Sequence, residues 1–513
     1  MRLGSGTILR LLAAALAAPL SLAFLQADTS PDSDFPSIQL QLGDQLSAET
    51  RYDEAIEAYK LALRAPEPSL RRLARMGLVR STLRIASFAG ALEEAGLLRK
   101  EFPRDAESIG LYGDSLWAAG LFDEAEQTYR DALAIQSQSA RARHGMAKSL
   151  AAQNRFDEAT DSVMAALALD PRDPEYHHTL GTIYERTHRY EEAANAFSSY
   201  VNLLPNKDRS IKASWSRAQI RFLRSFGDKV PFALDGDSGA GTHTLPFRLV
   251  DDKVVVQGKI NGSSSMDLVL DTGAEQTVVS RTTARRLGIT PVVYTLSAGV
   301  GEIGLRGLQV GRLNRLEIGS LKMQNVPVLI KNPSLTGMPR RETESFSPLS
   351  LGLSMTIDYQ RKQLTFGHKL PDERVDFELP LRLHRLATVR GVVDNSHPTN
   401  FVVDTGGEVI SISAETASSL PPAPRRIPLK VYGTSGWDRD AYLLPGVDLA
   451  FSAIAFQNLP VVVLNLRAPS VLLGYQIGGI VGHRFLSRYR VTLDLERSVM
   501  RLTKQTSGTV AGP

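Results

Sequence analysis

The sequence predicts a multidomain protein in which an all-α helical solenoid precedes an all-β region of two related lobes. Three observations carry this prediction: a phrase recurs about every 34 residues up to Pro205, the apolar pattern then changes to short β-branched runs, and a second, longer repeat follows. A fixed helical period indicates stacked repeats, and short apolar runs between turns indicate strands. At 513 residues the chain has room for roughly three to four domains.

The first residues carry the signature of export. Arg2 and Arg10 flank the start of an uncharged run over residues 11–25, and small residues follow it. This pattern predicts a signal peptide over residues 1–27, cleaved after Ala27, and a mature protein that is periplasmic or secreted by a bacterium. The run is shorter than the about 18 residues of a spanning helix. An uncleaved membrane anchor is therefore the lesser alternative, and no stable membrane span is expected after cleavage.

Composition excludes several classes of protein. Apolar residues make up 43% and charged residues 22% of the chain, which fits a folded protein rather than a disordered or polytopic membrane protein. The net charge is only +4, which predicts no nucleic-acid partner. Because the chain contains no cysteine, it has no thiol nucleophile, disulfide framework or cysteine-ligated metal.

An aromatic residue, two acidic residues and an alanine recur in the N-terminal part of the chain. Including one degenerate copy, the alanines recur at a nearly constant interval; they are Ala55, Ala91, Ala125, Ala159 and Ala193. A small residue tends to lie twelve positions before each alanine, a bulky one lies four after it, and prolines end the helices. Helix pairs that approach closely and stack on their neighbours would give this pattern.

The spacing resembles that of the tetratricopeptide repeat (TPR), a pair of antiparallel helices per unit. The resemblance covers about five repeats over residues 36–205. It implies an all-α solenoid whose concave face binds a protein partner or a peptide, with a structural spacer or a dimerisation arm as the alternative. His177 and His178 lie on one repeat helix without a second ligand pair at metal spacing, so no metal site is predicted.

Residues 206–242 are predicted to form a capping helix and a linker. Apolar residues follow Pro205 at spacings of four, three and four, and a glycine-rich segment follows Gly227. The other face of this helix is basic. That face is interpreted as the solvated side of a cap, with contact to anionic lipid as the alternative.

The second repeat lies in the β-rich region that begins near Thr242. A hydrophobic strand leads into Asp271-Thr272-Gly273, and another leads into Asp404-Thr405-Gly406. Further downstream, Gln324-Asn325 and Gln457-Asn458 stand at the same offset from each other. Two homologous lobes explain this pattern, over residues 243–370 and 371–505, with a disordered tail over residues 506–513.

Two such loops that face each other have a chemical use. Two neighbouring carboxylates cannot both ionise, so one stays protonated while the other acts as a base toward a shared water. The water then attacks a peptide carbonyl, and the protonated carboxyl hydrogen-bonds the developing oxyanion. Glycine allows the tight turn, and the hydroxyls of Thr272 and Thr405 can tie the two loops together.

Glycine-bearing hairpins and glycine-ended apolar stretches follow each loop. The hairpins include Gly299, Val300 and Gly301 in the first lobe and Gly433, Thr434, Ser435 and Gly436 in the second. The apolar stretches end at Gly352 and Gly482. Together with the paired Asp-Thr-Gly loops, these features resemble the retropepsin-like aspartic proteases over residues 243–505.

This resemblance implies a two-lobed, retropepsin/pepsin-like acid protease fold with one active site. Asp271 and Asp404 would be the catalytic pair, and the two hairpins would be flaps over a peptide substrate held as a strand. The supporting loop residues would be Thr272, Gly273, Thr405 and Gly406. No metal or organic cofactor is needed.

The sequence departs from the family pattern in both lobes. Gly352 stands much closer to the next aspartate than Gly482 does, so the first lobe is expected to lack the short helix that normally follows this glycine. Ser350 stands where an aliphatic residue is expected. Gly407 follows the second Asp-Thr-Gly in place of alanine, serine or threonine.

The sequence therefore predicts an exported aspartic endopeptidase whose repeat array recruits the substrate or a protein partner. One alternative pairs each lobe with its counterpart in another chain. A second alternative is a peptide-binding or scaffold protein whose protease fold has lost catalysis, which the shortened first lobe favours.

Overall fold

The computed structural model describes residues 31–235, 241–301, 305–331, 344–421 and 426–505. The predicted signal peptide over 1–27, part of the predicted linker and the predicted tail over 506–513 lie outside these ranges. Within them, no helix is both long and apolar enough to cross a membrane.

Eleven α-helices in succession form the first part of the described chain. They are α1 (Pro31–Ala48), α2 (Tyr52–Ala62), α3 (Pro68–Arg84), α4 (Phe88–Glu101), α5 (Ala106–Ala118), α6 (Phe122–Ile135), α7 (Ala140–Ala152), α8 (Phe156–Leu169), α9 (Pro174–Arg186), α10 (Tyr190–Leu203) and α11 (Ile211–Arg224). Asp105, Ser139 and Asp173 cap α5, α7 and α9 by accepting backbone N–H groups of the first turn. These capping residues recur at the same interval as the repeated alanines, so the sequence repeat determines where the helices begin.

The repeated small and bulky residues pack against each other inside each helix pair. The repeated alanines Ala55, Ala125 and Ala193 are fully buried. A methyl group added at Gly113 would lie 2.6 Å from Tyr129 Cε1, and one added at Gly181 would lie 2.8 Å from Phe197. The glycine therefore makes room for the ring of the partner helix, which explains why the small residue and the bulky residue recur together.

Strands form the remainder of the described chain. The first lobe contains β1 (Ala233–Leu234), β2 (His243–Pro246), β3 (Arg248–Val250), β4 (Lys253–Ile260), β5 (Met266–Leu270), β6 (Thr277–Ser280), α12 (Arg281–Arg286), β7 (Pro291–Ala298), β8 (Leu305–Ile318), β9 (Leu321–Lys331), β10 (Glu344–Phe346), a 3₁₀ turn (Pro348–Leu351), β11 (Ser354–Asp358) and β12 (Gln363–Gly367). The second contains β13 (Phe377–His384), β14 (Leu386–Val393), β15 (His397–Val403), β16 (Ser411–Ser413), α13 (Ala414–Ser418), β17 (Ile427–Pro428), β18 (Val431–Gly433), β19 (Gly436–Asp438), β20 (Tyr442–Phe451), β21 (Ile454–Leu464), α14 (Arg467–Leu473), β22 (Gly479–Val481), α15 (His483–Leu486), β23 (Tyr489–Asp494) and β24 (Val499–Lys504).

A sheet shared by the two lobes joins them into one body. It has 13 strands among the described residues, and across the junction they follow the order β13-β24-β23-β11-β12-β2. The first three of these strands belong to the second lobe and the last three to the first. At the junction β11 pairs antiparallel with β23, with Thr356 opposite Thr492, and the two hydroxyls hydrogen-bond at 2.8 Å. One hydrophobic core runs through both lobes. Each lobe thus has a partner lobe within the same chain.

The middle of the helical array packs on the second lobe. Gln476 N–H donates to Ala118 O at 2.8 Å, at the turn between α5 and α6. A mixed core forms at this contact, in which Trp117 and Phe122 of the array pack with Tyr475 of the lobe. Burial of these rings removes apolar surface from water and fixes the array to the lobe.

The C-terminal end of the array packs on the first lobe. Phe222 of α11 and Phe226, just after it, share a core with Val293 of β7 and Val310 of β8. Arg312 also donates to Ser225 O at 3.3 Å. The array therefore contacts both lobes and bridges them.

Candidate active site

Two equivalent loops carry the predicted catalytic aspartates. Strand β5 ends one residue before Asp271, and β15 ends one residue before Asp404. Gly273 N–H donates to Asp271 Oδ1 at 3.1 Å, and Gly406 N–H donates to Asp404 Oδ1 at 2.8 Å. Each short turn therefore holds its own carboxylate in one orientation.

Four hydrogen bonds interlock the two loops. Thr272 N–H donates to Thr405 Oγ1 at 3.1 Å, and Thr405 N–H donates to Thr272 Oγ1 at 3.0 Å. The Thr272 hydroxyl donates to Val403 O at 2.6 Å, and the Thr405 hydroxyl donates to Leu270 O at 2.8 Å. Both threonines are buried, so water does not compete for these bonds. The structure contains the threonine contacts between the loops that the sequence led us to expect.

Each aspartate lies against the glycine of the opposite loop. A methyl group added at Gly273 would lie 2.5 Å from Asp404 Cγ, and one added at Gly406 would lie 2.8 Å from Asp271 Oδ1. Glycine is therefore required here by close approach rather than by a left-handed backbone. The structure brings the two carboxylates together across the loops.

Burial and mutual repulsion both act on this pair of carboxylates. Burial is the largest effect and the Asp404 charge the next, and together they raise the pKa of Asp271 to about 7. Burial also raises the pKa of Asp404, but backbone N–H groups of Gly406, Gly407 and Gly273 oppose that rise. A raised pKa keeps one proton on the pair at mildly acid pH, which general acid–base chemistry requires.

Comparisons with known protein families agree with this geometry. Residues 256–338 match a family described as gag-polyprotein putative aspartyl protease, and residues 388–485 match one described as aspartyl protease. Residues 76–140 and 116–183 match two tetratricopeptide repeat families. The chain carries TPR repeats followed by retropepsin-like aspartyl protease lobes. Both resemblances drawn from the sequence are thereby confirmed.

Solved structures match the array. A thermophilic TPR protein of Thermus thermophilus is 22% identical, with a TM-score of 0.31, over 37% of this chain and 98% of that chain. MamA of Desulfovibrio magneticus RS-1 is 17% identical, with a TM-score of 0.25, over 33% of this chain and 95% of that chain. Among curated proteins nothing matches.

The two predicted flaps of the protease lobes contact each other. Ser435 N–H donates to Val300 O at 2.9 Å, and Gly299 N–H donates to Ser435 Oγ at 3.1 Å. A methyl group at Gly301 would lie 2.5 Å from Ser435 O. Residues 302–304 of the first flap lie outside the described residues. The hairpin tips of the two protease lobes are thus brought together, with the second built on the β18–β19 hairpin.

The prediction of a shortened first protease lobe is wrong. Strand β10 pairs parallel to β5, as β22 pairs parallel to β15 in the second lobe. Phe346 O accepts the Asp271 N–H, and Val481 O accepts the Asp404 N–H, both at 3.0 Å. Ser347, not Gly352, is therefore the counterpart of Gly482.

The 3₁₀ turn that follows Ser347 takes the place of α15, so the first lobe has its short helical turn. Gly352 ends this turn in a left-handed conformation with a φ of 72°. The sequence comparison failed because it aligned two glycines with different structural roles. The observation that favoured a protease fold without catalysis is thereby removed.

Sequence reasoning missed Glu344, which begins β10. Its buried carboxylate accepts from Ser280 N–H at 2.8 Å and from the Ser280 hydroxyl at 3.0 Å, and it also accepts from the Thr283 hydroxyl. It thereby fixes the start of α12 to the strand beside Asp271. A glutamate within a polar segment gave no sequence signal for a buried position.

Ion pairs of the glutamates that follow the two Asp-Thr-Gly segments were also missed. Arg385 of the second protease lobe donates to both oxygens of Glu275, at 2.7 and 2.9 Å. Arg484 donates to Glu408 at 2.6 Å, and both of these residues belong to the second lobe. Glu275 and Glu408 are equivalent positions of the two lobes, but the position equivalent to Arg385 in the first lobe is Asp252. The surroundings of the two loops are therefore asymmetric. A comparison of positions related by the offset between the two Asp-Thr-Gly segments would have found this difference.

Proposed function

We propose that this chain is an aspartic endopeptidase that hydrolyses peptide bonds with a water activated between Asp271 and Asp404. The observation that carries the proposal is the interlocked pair of loops, which holds two partly buried carboxylates near each other. The family matches of both lobes support a protease of this class. The hydrogen bonds of Thr272 and Thr405 would keep the pair in place as charge moves during the reaction.

The two aspartates would have different roles. Asp404 receives the greater number of backbone N–H groups, which favours its ionised form, so we assign it as the base. Asp271 would carry the shared proton. Asp404 takes a proton from water as the water oxygen attacks the carbonyl carbon, and Asp271 donates its proton to the carbonyl oxygen. When the tetrahedral intermediate collapses, the C–N bond breaks and the amine leaves with the proton that Asp404 held. Asp271 takes back a proton from one hydroxyl of the intermediate, which becomes the carboxylic acid product.

The substrate would be an extended peptide. The flaps around Gly299–Gly301 and Gly433–Gly436 would close over it, and main-chain hydrogen bonds would hold it as a strand. Aspartate, threonine and glycine side chains and backbone supply this chemistry, so the proposal needs no metal or organic cofactor. The TPR array would dock the substrate or a protein partner.

The site of action would be outside the cytoplasm. The charged start, apolar run and small residues before Asp28 support a cleaved signal peptide and a periplasmic or secreted enzyme. Sequencing the N-terminus of the exported chain should give Asp28. A chain that retains Met1 in the cell would contradict export.

The test of catalysis is cleavage of an unfolded protein by the purified chain over about pH 3.5 to 7.5. Asp271→Asn and Asp404→Asn should each abolish cleavage, because one carboxylate cannot both hold the proton and accept one. Asp267→Asn, on the exposed part of β5, is the matched control and should cut normally. Cleavage that persists in either active-site variant would contradict the proposal.

A further inference from the structure

A cavity of about 1700 Å³ lies between the concave face of the array and the protease lobes. The helices that line it include α3, α5, α7, α9 and α11, which supply residues such as Arg84, Lys148 and Trp215. The volume exceeds the roughly 300–1,000 Å³ of small-molecule sites. A polypeptide segment fits this space better than a metabolite does.

The cavity reaches the first active-site loop. Its protease wall includes Ala274, Glu275 and Gln276, which directly follow Asp271-Thr272-Gly273, and Thr295 and Leu296 of the flap strand β7. A peptide that leaves the cleft past these residues therefore enters the space under the array. The concave face of the array and the first active-site loop therefore line the same cavity.

Two contacts link helices of the array that are far apart in the chain. Asn206, which follows α10, donates to Glu49 O after α1 at 3.4 Å. Arg84 of α3 pairs with Glu175 of α9 at 2.5 Å. The array and both protease lobes therefore bound this space together.

The charged groups of the lining neutralise one another. Arg141 pairs with Asp114 at 2.7 Å, and Lys148 lies 3.4 Å from the same carboxylate. Aromatic rings such as Trp117, Tyr176 and Trp215 stand among these pairs. Such a lining favours an unfolded polypeptide of mixed composition rather than a strongly acidic or basic ligand.

We infer that the concave face of the array is part of the substrate site and binds the unfolded polypeptide segment that flanks the scissile bond. This inference rests on the proposed endopeptidase function. It makes the enzyme selective for unstructured chains long enough to pass from the cleft into the cavity. Short peptides occupy the cleft alone.

The absence of cysteine allows a direct test. Ser216 of α11 lines the cavity, and Ser137 in the turn after α6 is exposed and outside it. Ser216→Cys and Ser137→Cys are each labelled with pyrene maleimide. Cleavage is then compared for unfolded peptides of about 24 and about eight residues, the latter spanning about 27 Å when extended. Binding of the longer peptide is measured by fluorescence anisotropy in Asp271→Asn versions of both proteins.

The label at position 216 should lower kcat/KM for the longer peptide about tenfold and weaken its binding about as much, while the shorter peptide is cut within about twofold of normal. The label at position 137 should change neither. Circular dichroism at several temperatures checks that both labelled proteins stay folded. Unchanged cleavage and binding of the longer peptide would overturn the inference. Label-sensitive binding without any cleavage by unsubstituted protein would support the inference and overturn the endopeptidase proposal instead.

Discussion

Lys253 is a cation near the two aspartates that has no counterpart in the second lobe. Val255 pairs with Val269, so the register continued by two residues places Lys253 opposite Asp271. The equivalent position of the second lobe is Leu386. The Lys253 charge lowers the pKa of Asp271, against the larger effects of burial and of the Asp404 charge, and it also lowers the pKa of Asp404. Lys253, together with Lys331, thus limits how far the pKa of Asp271 rises.

Lys253→Leu should move the loss of activity to higher pH. The cation opposes protonation of Asp271, so its removal raises the pKa of Asp271 further, and the shared proton is kept until a higher pH. Activity is lost as pH rises through this pKa, so the upper limb of the kcat/KM profile should shift up by about half to one pH unit. Leu386→Lys is the reciprocal variant and should shift that limb down. A shift of the limb to lower pH in Lys253→Leu would contradict this electrostatic role.

Among the elements, β10 shows how a polar segment becomes a core strand. Its residues include Glu344 and Ser345, both buried, and the strand lies between β5 and β6. Burying a carboxylate is costly unless hydrogen bonds satisfy it. The N-terminus of α12 supplies those bonds, and the positive end of a helix also favours a carboxylate.

Glu344→Ala should destabilise the first protease lobe. Loss of the carboxylate leaves the Ser280 N–H and two hydroxyls unpaired in the core, at about 2 kcal/mol or more. Urea unfolding followed by tyrosine fluorescence measures the free energy of unfolding. Glu378→Ala, at a half-exposed glutamate of β13, is the control and should change it by at most about 0.5 kcal/mol. Equal effects of the two variants would show that Glu344 has no special structural role.

For the whole molecule, the contact between the α5–α6 turn and the second lobe decides where the array lies on the protease lobes. Gly120 has a φ of 78°, and Asn400 Nδ2 donates to its carbonyl at 3.3 Å. A methyl group there would clash with the Asn400 amide and lie 2.7 Å from Gln476 O. The array is thus fixed to the protease lobes through a position that has no space for a side chain.

Gly120→Ala should loosen the array from the lobes. Gly227→Ala is a matched control, because Gly227 also has a positive φ, of 54°, but a methyl group there meets nothing within 4 Å. Both variants bear backbone strain of about 1 kcal/mol, while Gly120→Ala alone disturbs the contact. Thermal unfolding of Gly120→Ala should separate into two transitions, with faster proteolysis between array and lobes. A single transition like that of the control would contradict this role of the contact.

The sequence determined the classes of structure and the position of the chemistry. Helix caps that recur at the repeat interval, alanines in the helix contacts and the two Asp-Thr-Gly segments are local patterns, because each depends on neighbours within one repeat. The predicted aspartates and threonines accordingly lie together in the structure. The sequence also indicated the two glycine-bearing hairpins, whose tips contact each other.

The tertiary structure alone decided the role of Glu344, the counterpart of Gly482 and the direction in which the array faces. Each depends on contacts between residues far apart in the chain, such as Glu344 with Ser280, Phe346 with Asp271, and Trp117 with the second lobe. Burial of a polar group and closure of a cavity are properties of the packed molecule. No spacing within one repeat encodes these properties. The cavity between the array and the protease lobes could therefore be found only in the folded chain.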